Sequence, residues 1–326
     1  MALIKSPKLQ PAIFLMGPTA AGKTELSLAL AERLPVEIIS VDSAMVYQGM
    51  DIGTGKPTVA ERSSVPHHLI DIRDPSERYS AAEFANDALE LMHAISERGC
   101  IPVLVGGTLL YFRALREGLS SLPAANMAVR QRLLAEATVI GWAAMHQRLM
   151  QVDAVSASRI HPNDPQRIQR ALEVYEVCAR PLSSFFAETS SNQLLQKKRG
   201  QAEIRSIEEY QLFSFAVMPC DRQVLHQRIA ERFQSMLAAG LVEEVTGFFN
   251  RGDLTLDLPA MRSVGYRQIW RYLAGEYGYD DMTLKSMAAT RQLAKRQLTW
   301  LRSLSDIKWL QNTHLASMET VIHCLS

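Results

Sequence analysis

The sequence predicts an α/β protein: a parallel sheet flanked by helices and interrupted by an inserted all-helical subdomain. Three observations carry this expectation. The first 116 residues alternate short apolar runs with amphipathic stretches, the pattern of βαβ units. The apolar runs end in turn-forming or acidic residues, at Gly17, Asp42 and Gly106, so that strand, turn and helix recur in order. Near Gly118 the pattern stops, helical character holds to about Glu188, and a further strand-like run at Leu212–Val217 returns the chain to the sheet.

Taken in order, Ala12–Met16 reads as a buried strand, and Thr24–Leu34 as a helix with Leu26, Leu30 and Leu34 on one face. Val36–Val41 is the next strand, ending on Asp42. Ala81–Arg98 is a helix closed by Gly99, and Ile101–Val105 a strand leading into the turn Gly106-Gly107-Thr108. The helical insert is broken at Gly141 and at His161–Pro165. Thr189–Gln211 is polar, carries Lys197, Lys198 and Arg199, and reads as a loop rejoining the core. From Arg222 to the end the chain reads as helical, with long amphipathic stretches at Val224–Asn250 and Leu284–Leu304. These boundaries give a core of residues 1–117 and 201–326 with an insert of 118–200, and no internal repeat.

Composition fits such a protein. Of 326 residues 47% are hydrophobic and 21% charged, which excludes a disordered or collagen-like chain. Lys and Arg total 35 against 34 Asp and Glu, so no global field draws the chain to nucleic acid or membrane, and any polyanion needs a local patch. Cys100, Cys178, Cys220 and Cys324 are far apart without zinc-ligand spacing and are expected as buried free thiols. No leader pattern is visible, and no apolar run approaches the roughly 18 residues that span a bilayer. A cytoplasmic protein with no membrane partner is the expectation.

Gly17-Pro-Thr-Ala-Ala-Gly-Lys-Thr24 matches G-x-x-x-x-G-K-S/T between a predicted strand and a predicted helix, the context a phosphate-binding loop requires. Gly17 and Gly22 let consecutive amides turn inward around a phosphate, while Pro18, Thr19, Ala20 and Ala21 complete the loop. The helix N-terminus adds a positive dipole end, Lys23 a mobile charge, and Thr24 a hydroxyl able to hold Mg²⁺. The expected core is therefore P-loop NTPase-like, and its ligand a di- or triphosphate. Hydrolysis of ATP or GTP would call for an apolar strand ending in a metal-binding acid. Ile101–Val105 ends instead in Gly106-Gly107-Thr108, and the acid at a strand end is Asp42. Because the ends of parallel strands line one crevice, Asp42 is suited to partner Mg²⁺ or to act as a general base, or else it caps the turn.

Six segments in sequence order, Gly17–Thr24, Asp42–Pro57, Val105–Thr108, His161–Arg170, Arg262–Arg267 and Thr290–Trp300, resemble the bacterial tRNA dimethylallyltransferases over nearly the whole chain. The chain departs from that family's pattern at Gly55, where Ala is common, and at Gln48, where a basic residue is usual. Its segment Thr189–Arg205 is also longer and more polar than typical. The resemblance implies a monomeric enzyme that moves a dimethylallyl group from dimethylallyl diphosphate to N6 of the adenosine 3′-adjacent to the anticodon, in tRNAs reading codons that begin with U. It implies Mg²⁺ held through Thr24, a diphosphate held by the P-loop and Arg232, and catalytic roles for Asp42, Thr19, Lys23 and Arg232.

The chemistry is compatible. Breaking an allylic C–O bond builds negative charge on the departing diphosphate, so preorganised donors there are the largest expected effect. Adenine N6 is a weak nucleophile and needs a carboxylate to accept its proton, a role that falls to Asp42. For tRNA the resemblance implies Asp42, Ser43, Ala44, Met45, Thr108 and Arg130, then Gln166, Arg167, Ile168, Gln169 and Arg170 of the insert. It further implies Arg262, Ser263, Val264, Gly265, Tyr266 and Arg267, as holders of extruded or neighbouring bases, and Lys295, Arg296, Gln297, Trp300 and Arg302. Charge patterning agrees locally. Lys285–Arg302 holds five basic residues and no acid. At about 100° per residue, Arg291, Lys295 and Arg302 fall within roughly 40° of one another, and Lys285 and Arg296 share a second stripe. Arg159, Arg167 and Arg170 mark a second basic site. Three rival readings remain open: prenyl transfer to free adenine nucleotide, a P-loop kinase or NTPase, and an RNA-binding protein with a vestigial P-loop.

Overall fold

The computed structural model of the chain describes residues 9–118, 122–123, 125–186, 207–219, 221–311 and 314–325. Six parallel strands, β1 (Gln10–Met16), β2 (Val36–Val41), β3 (His67–His68), β4 (Ile101–Gly106), β5 (Tyr210–Met218) and β6 (Lys308–Gln311), form one sheet in the order β3-β2-β4-β1-β5-β6. The apolar runs of β1 and β2 are continuous rather than alternating because both faces are covered, as in helix-flanked parallel sheets. Phe14 and Met16 pack on one face, Ile13 and Leu15 on the other. The one charge inside β2, Glu37, is buried but takes two hydrogen bonds from Arg98, both 2.8 Å, and a third contact from His68. Arg98 above all holds this carboxyl below the usual range.

Register is what assembles the site. Met16 pairs with both Gly106 and Ala216, and Val41 also pairs with Gly106, so β1, β2 and β4 end level. The residues that follow them, Gly17, Asp42 and Gly107, share one rim of the sheet. Two strands went unexpected. β3 is only two residues long, and β6 lies in the stretch read as helical to the end of the chain. A four-residue edge strand, Lys308-Trp-Leu-Gln311, is too short to show a period.

The helices over the sheet are α1 (Lys23–Ala31), α2 (Val59–Ser64), α3 (Ala81–Glu97) and α4 (Leu109–Glu117). Thr58–Glu61 and Ser80–Glu83 form reciprocal capping boxes at the starts of α2 and α3. The stretch expected as Val224–Asn250 is two helices, Arg222–Ala238 and Leu241–Phe249, divided at Gly240, whose φ of +97° suits glycine. Tyr266–Leu273, Tyr279–Leu301 and His314–Leu325 complete the set. No described helix is long and apolar enough to cross a membrane.

The chain divides into two compact units, residues 1–117 with 205–326, and residues 118–204. The second contains helices Met127–Ile140, Trp142–Val152, Ala154–Arg159 and Pro165–Cys178 around Leu133, Met145, Leu149, Ile168 and Leu172. Gly141, with φ of +80°, separates the first pair, and Asp164 with Pro165 starts the last. The residues expected as a polar loop, including Lys197, Lys198 and Arg199, lie outside those described up to residue 206. From Ile207 a single 3₁₀ turn leads into β5, which begins earlier than expected. Cys100, Cys178 and Cys324 are free but half-buried rather than buried, and Cys220 lies outside the described residues.

Candidate active site

The P-loop closes directly after β1. Gly17 lies so near β5 that a Cβ there would sit 2.7 Å from the Val217 carbonyl oxygen. Ala20 and Gly22 adopt φ of +62° and +92°, and Gly22 is the N-cap of α1 without a side-chain cap, which leaves the first-turn amides of α1 for a ligand. Lys23 Nζ donates to the carbonyls of Gly17 and Pro18, at 3.0 and 2.7 Å. Burial lowers the pKa of Lys23 to about 8, with Arg232 adding to the effect and Asp42 opposing it.

A cavity of about 1130 Å³ opens over this loop, lined by Thr19–Thr24, Asp42–Met45, Gly53–Gly55, Gly106–Thr108 and Arg232, and by Arg262–Tyr266, Arg296, Gln297 and Trp300. Asp42 Oδ1 accepts the amides of Ala44 at 2.8 Å and Met45 at 3.4 Å, so the carboxylate does cap the turn after β2 while standing at the cavity wall. Thr108 ties the ends of β2 and β4 together: its amide donates to Val41 O and its hydroxyl accepts from the Ser43 amide at 3.1 Å.

Two contacts that sequence reasoning missed hold the wall in place. Gln297 Oε1 accepts the Thr19 amide at 3.1 Å while its Nε2 donates to Gly107 O at 2.8 Å, clamping the P-loop to the β4 turn. Gln297 was expected at the tRNA, but its side-chain amide is engaged in the wall. Across the cavity Arg232 Nη2 donates to Thr54 O at 3.2 Å, and the guanidinium lies directly on Gly55. A Cβ at Gly55 would stand 1.8 Å from Nη2, so the glycine at this position allows an approach that alanine would block. Glu244 in turn holds the segment before Gly55: its carboxylate accepts the amides of Asp51, Ile52 and Gly53 and the hydroxyl of Tyr266. Lys56, buried with Asp51, Asp71 and the Tyr47 carbonyl around its ammonium, anchors the far end. Glu244 follows no pattern that a single sequence discloses, and Lys56, although it lies within Asp42–Pro57, was given no role there.

The other expected site residues differ in exposure and in the partners they already hold. Tyr266 is fully buried against Gly53 and Phe248, and burial followed by Glu244 pushes its hydroxyl pKa well up, so it is no stacking platform for a base. Ile168 is fully buried in the helical unit and offers RNA no side-chain contact. Arg130 and Arg170 both bind the fully buried Glu173, at 3.0 and 2.7 Å, and Gln169 donates to Arg130 O, so these three build the helical unit. Gln166 and Arg167 are exposed, as are Arg262 and Arg267. Lys285, Arg291, Lys295, Arg296 and Arg302 are all exposed on or just after the Tyr279–Leu301 helix. Lys285 sits over the Tyr277 ring, and Arg296 with Trp300 reaches the cavity.

The IPP transferase family model matches residues 45–304. A tRNA dimethylallyltransferase 2 of Hahella chejuensis is 52% identical over 318 residues, covering 98% of this chain and 96% of that protein. Among solved structures, the tRNA isopentenylpyrophosphate transferase of Bacillus halodurans superposes with a TM-score of 0.68 at 34% identity, covering 97% of this chain and 95% of that one. A eukaryotic dimethylallyltransferase acting on tRNA superposes with a TM-score of 0.71 at 25% identity, covering 95% and 76%.

Proposed function

The chain belongs to the IPP transferase family, and on that premise we propose that it transfers a dimethylallyl group from dimethylallyl diphosphate to N6 of the adenosine 3′-adjacent to the anticodon of tRNA. One observation carries the reading. Two cations at the P-loop cavity, Lys23 and Arg232, are held by neutral carbonyl oxygens rather than by carboxylates, so the cradle presents positive charge to an anion. Such charge is worth most where it develops late in a reaction, on the departing diphosphate.

In this reading the loop amides, Lys23 and Arg232 receive the diphosphate as the allylic C–O bond breaks. N6 forms the new C–N bond with the allyl carbon, and the proton it releases passes to Asp42. The amides of Ala44 and Met45 on Oδ1 fix the orientation of the carboxylate, which leaves Oδ2 to take the proton. The described residues include no cluster of three or more His, Cys, Asp or Glu side chains able to hold a metal unaided. A lone Thr24 hydroxyl suits Mg²⁺, which binds through few protein oxygens, substrate phosphates and water. When bound, the ion would neutralise diphosphate charge. The reading carries with it a cytoplasmic location, where the acceptor tRNA is found, and a monomeric enzyme.

The test is incubation of the purified protein with Mg²⁺, labelled dimethylallyl diphosphate and either unmodified tRNA or free AMP. Label in tRNA alone supports the reading; label in AMP alone makes the chain a nucleotide prenyltransferase. ATP binding far tighter than dimethylallyl diphosphate would make it a kinase or NTPase.

A further inference from the structure

We propose that Glu244 is a positioning residue for prenyl transfer, which fixes the Gly53–Gly55 shelf on which the Arg232 guanidinium rests. The inference builds on the reading of Arg232 as a diphosphate ligand. Glu244 stands on the Leu241–Phe249 helix and does not line the cavity, yet four donors converge on it. Oε2 accepts the amides of Asp51 and Ile52 at 3.0 and 2.7 Å, and Oε1 the amide of Gly53 at 3.2 Å together with the Tyr266 hydroxyl. Three consecutive amides turned toward one carboxylate define the path of the chain, because charge-assisted bonds are about twice as strong as neutral ones.

That path ends on Arg232. The carbonyl of Thr54 accepts Nη2, and Gly55, at φ of +62°, lies beneath the guanidinium with no room for a Cβ. Gly53 is pinned from its other side, where a Cβ would come 2.5 Å from the Tyr266 ring. Glu244 and Tyr266 thus grip the two residues before Thr54, and any shift there moves the acceptor of Arg232. A Gln at 244 would turn a donor NH₂ toward amide donors, so one end of the array would lose its acceptor and the shelf its position.

The experiment is steady-state kinetics of Glu244→Gln in the wild-type and Arg232→Lys backgrounds, with dimethylallyl diphosphate and tRNA varied separately. The expected result is a loss of about 10- to 100-fold in kcat/KM for dimethylallyl diphosphate, with the KM for tRNA within about twofold of wild type. In the Arg232→Lys background the same change should have less than about a threefold effect, since residues acting through one contact are not additive. An equal loss in both backgrounds, a loss confined to the KM for tRNA, or no loss would overturn the proposal. Should Glu244→Gln fail to fold, Tyr266→Phe removes one of the four donors and should give a smaller loss with the same dependence on Arg232; additivity there would overturn it equally. Arg232→Ala separates the two readings. If it leaves the dependence on dimethylallyl diphosphate unchanged, the assignment of Arg232 fails and this proposal with it, whereas a loss in Arg232→Ala without one in Glu244→Gln rejects the role of Glu244 alone.

Discussion

The two units of the chain hold their arginines in opposite ways. In the P-loop unit Arg232 is half-buried against a single carbonyl oxygen, and Lys23 beside it is held by two more. In the helical unit Arg130 and Arg170 are bound to a carboxylate, Glu173, that has no exposure at all. A cation on neutral acceptors keeps its field and attracts an anion; a cation on a buried acid is spent on structure. The three arginines look alike in the sequence, and only their acceptors tell them apart: a neutral carbonyl for Arg232, a buried acid for Arg130 and Arg170.

The sharpest break of that contrast is expected at Asp42, the one carboxylate whose charge opposes the effect of burial on Lys23. Asp42→Asn keeps an oxygen for the Ala44 and Met45 amides but cannot accept a proton. Single-turnover transfer should fall about 10²- to 10⁴-fold with the melting temperature unchanged. Wild-type turnover in this variant would remove Asp42 from catalysis. Glu173→Ala tests the other side: stranding two guanidinium groups against the core should lower stability by about 3–5 kcal/mol in denaturant unfolding. A change below 1 kcal/mol would mean that Arg130 and Arg170 are free to serve RNA.

Lys23 offers a milder test, by pH. Its folded pKa of about 8 lies below the ordinary lysine value, so the folded state releases the proton first. The unfolded chain then binds more protons above pH 8, and this group's contribution to stability rises with pH up to the ordinary value. Activity should move the other way: kcat/KM for dimethylallyl diphosphate should fall as pH rises through about 8, because the uncharged amine no longer supports the leaving group. A profile flat to pH 10 would show that the charge is not needed. The smallest effect is expected on the exposed helix. Neutralising Arg291, Lys295 and Arg302 singly should reduce the salt dependence of tRNA binding by roughly 0.7–0.9 in slope each, with stability changed by less than about 0.5 kcal/mol.

The parts legible from sequence were those written in contiguous residues. β1, the P-loop and the start of α1 follow from one run between Gln10 and Ala31, and α3 was read to within one residue because Gly99 stops it and its apolar face is regular. The breaks between helices at Gly141 and before Pro165 were marked in the same way by single residues. Elements whose stability comes from their neighbours left no such trace. β6 exists because β5 offers an edge, and Gly240 splits a helix that amphipathicity alone would continue. In the site, Lys23 and Asp42 carry local signals, but Glu244 and the clamp role of Gln297 depend on partners far along the chain. The resemblance brought Gln297, Tyr266, Arg130 and Arg170 to notice, and side-chain partners then showed that geometry already employs them.

The Gln297 clamp also bears on when the enzyme becomes competent during its synthesis. Thr19 and Gln297 are separated by 278 positions, and β1 at the centre of the sheet waits for β5 on the far side of the insert. A nascent chain that has released its P-loop, and even the whole helical unit, still lacks the residue that ties the loop to the β4 turn. Contacts so distant in sequence fold slowly and late. The P-loop, among the first segments to leave the ribosome, is therefore among the last to reach its final shape, and a chain ending before residue 297 would carry the motif without the clamp that sets its position.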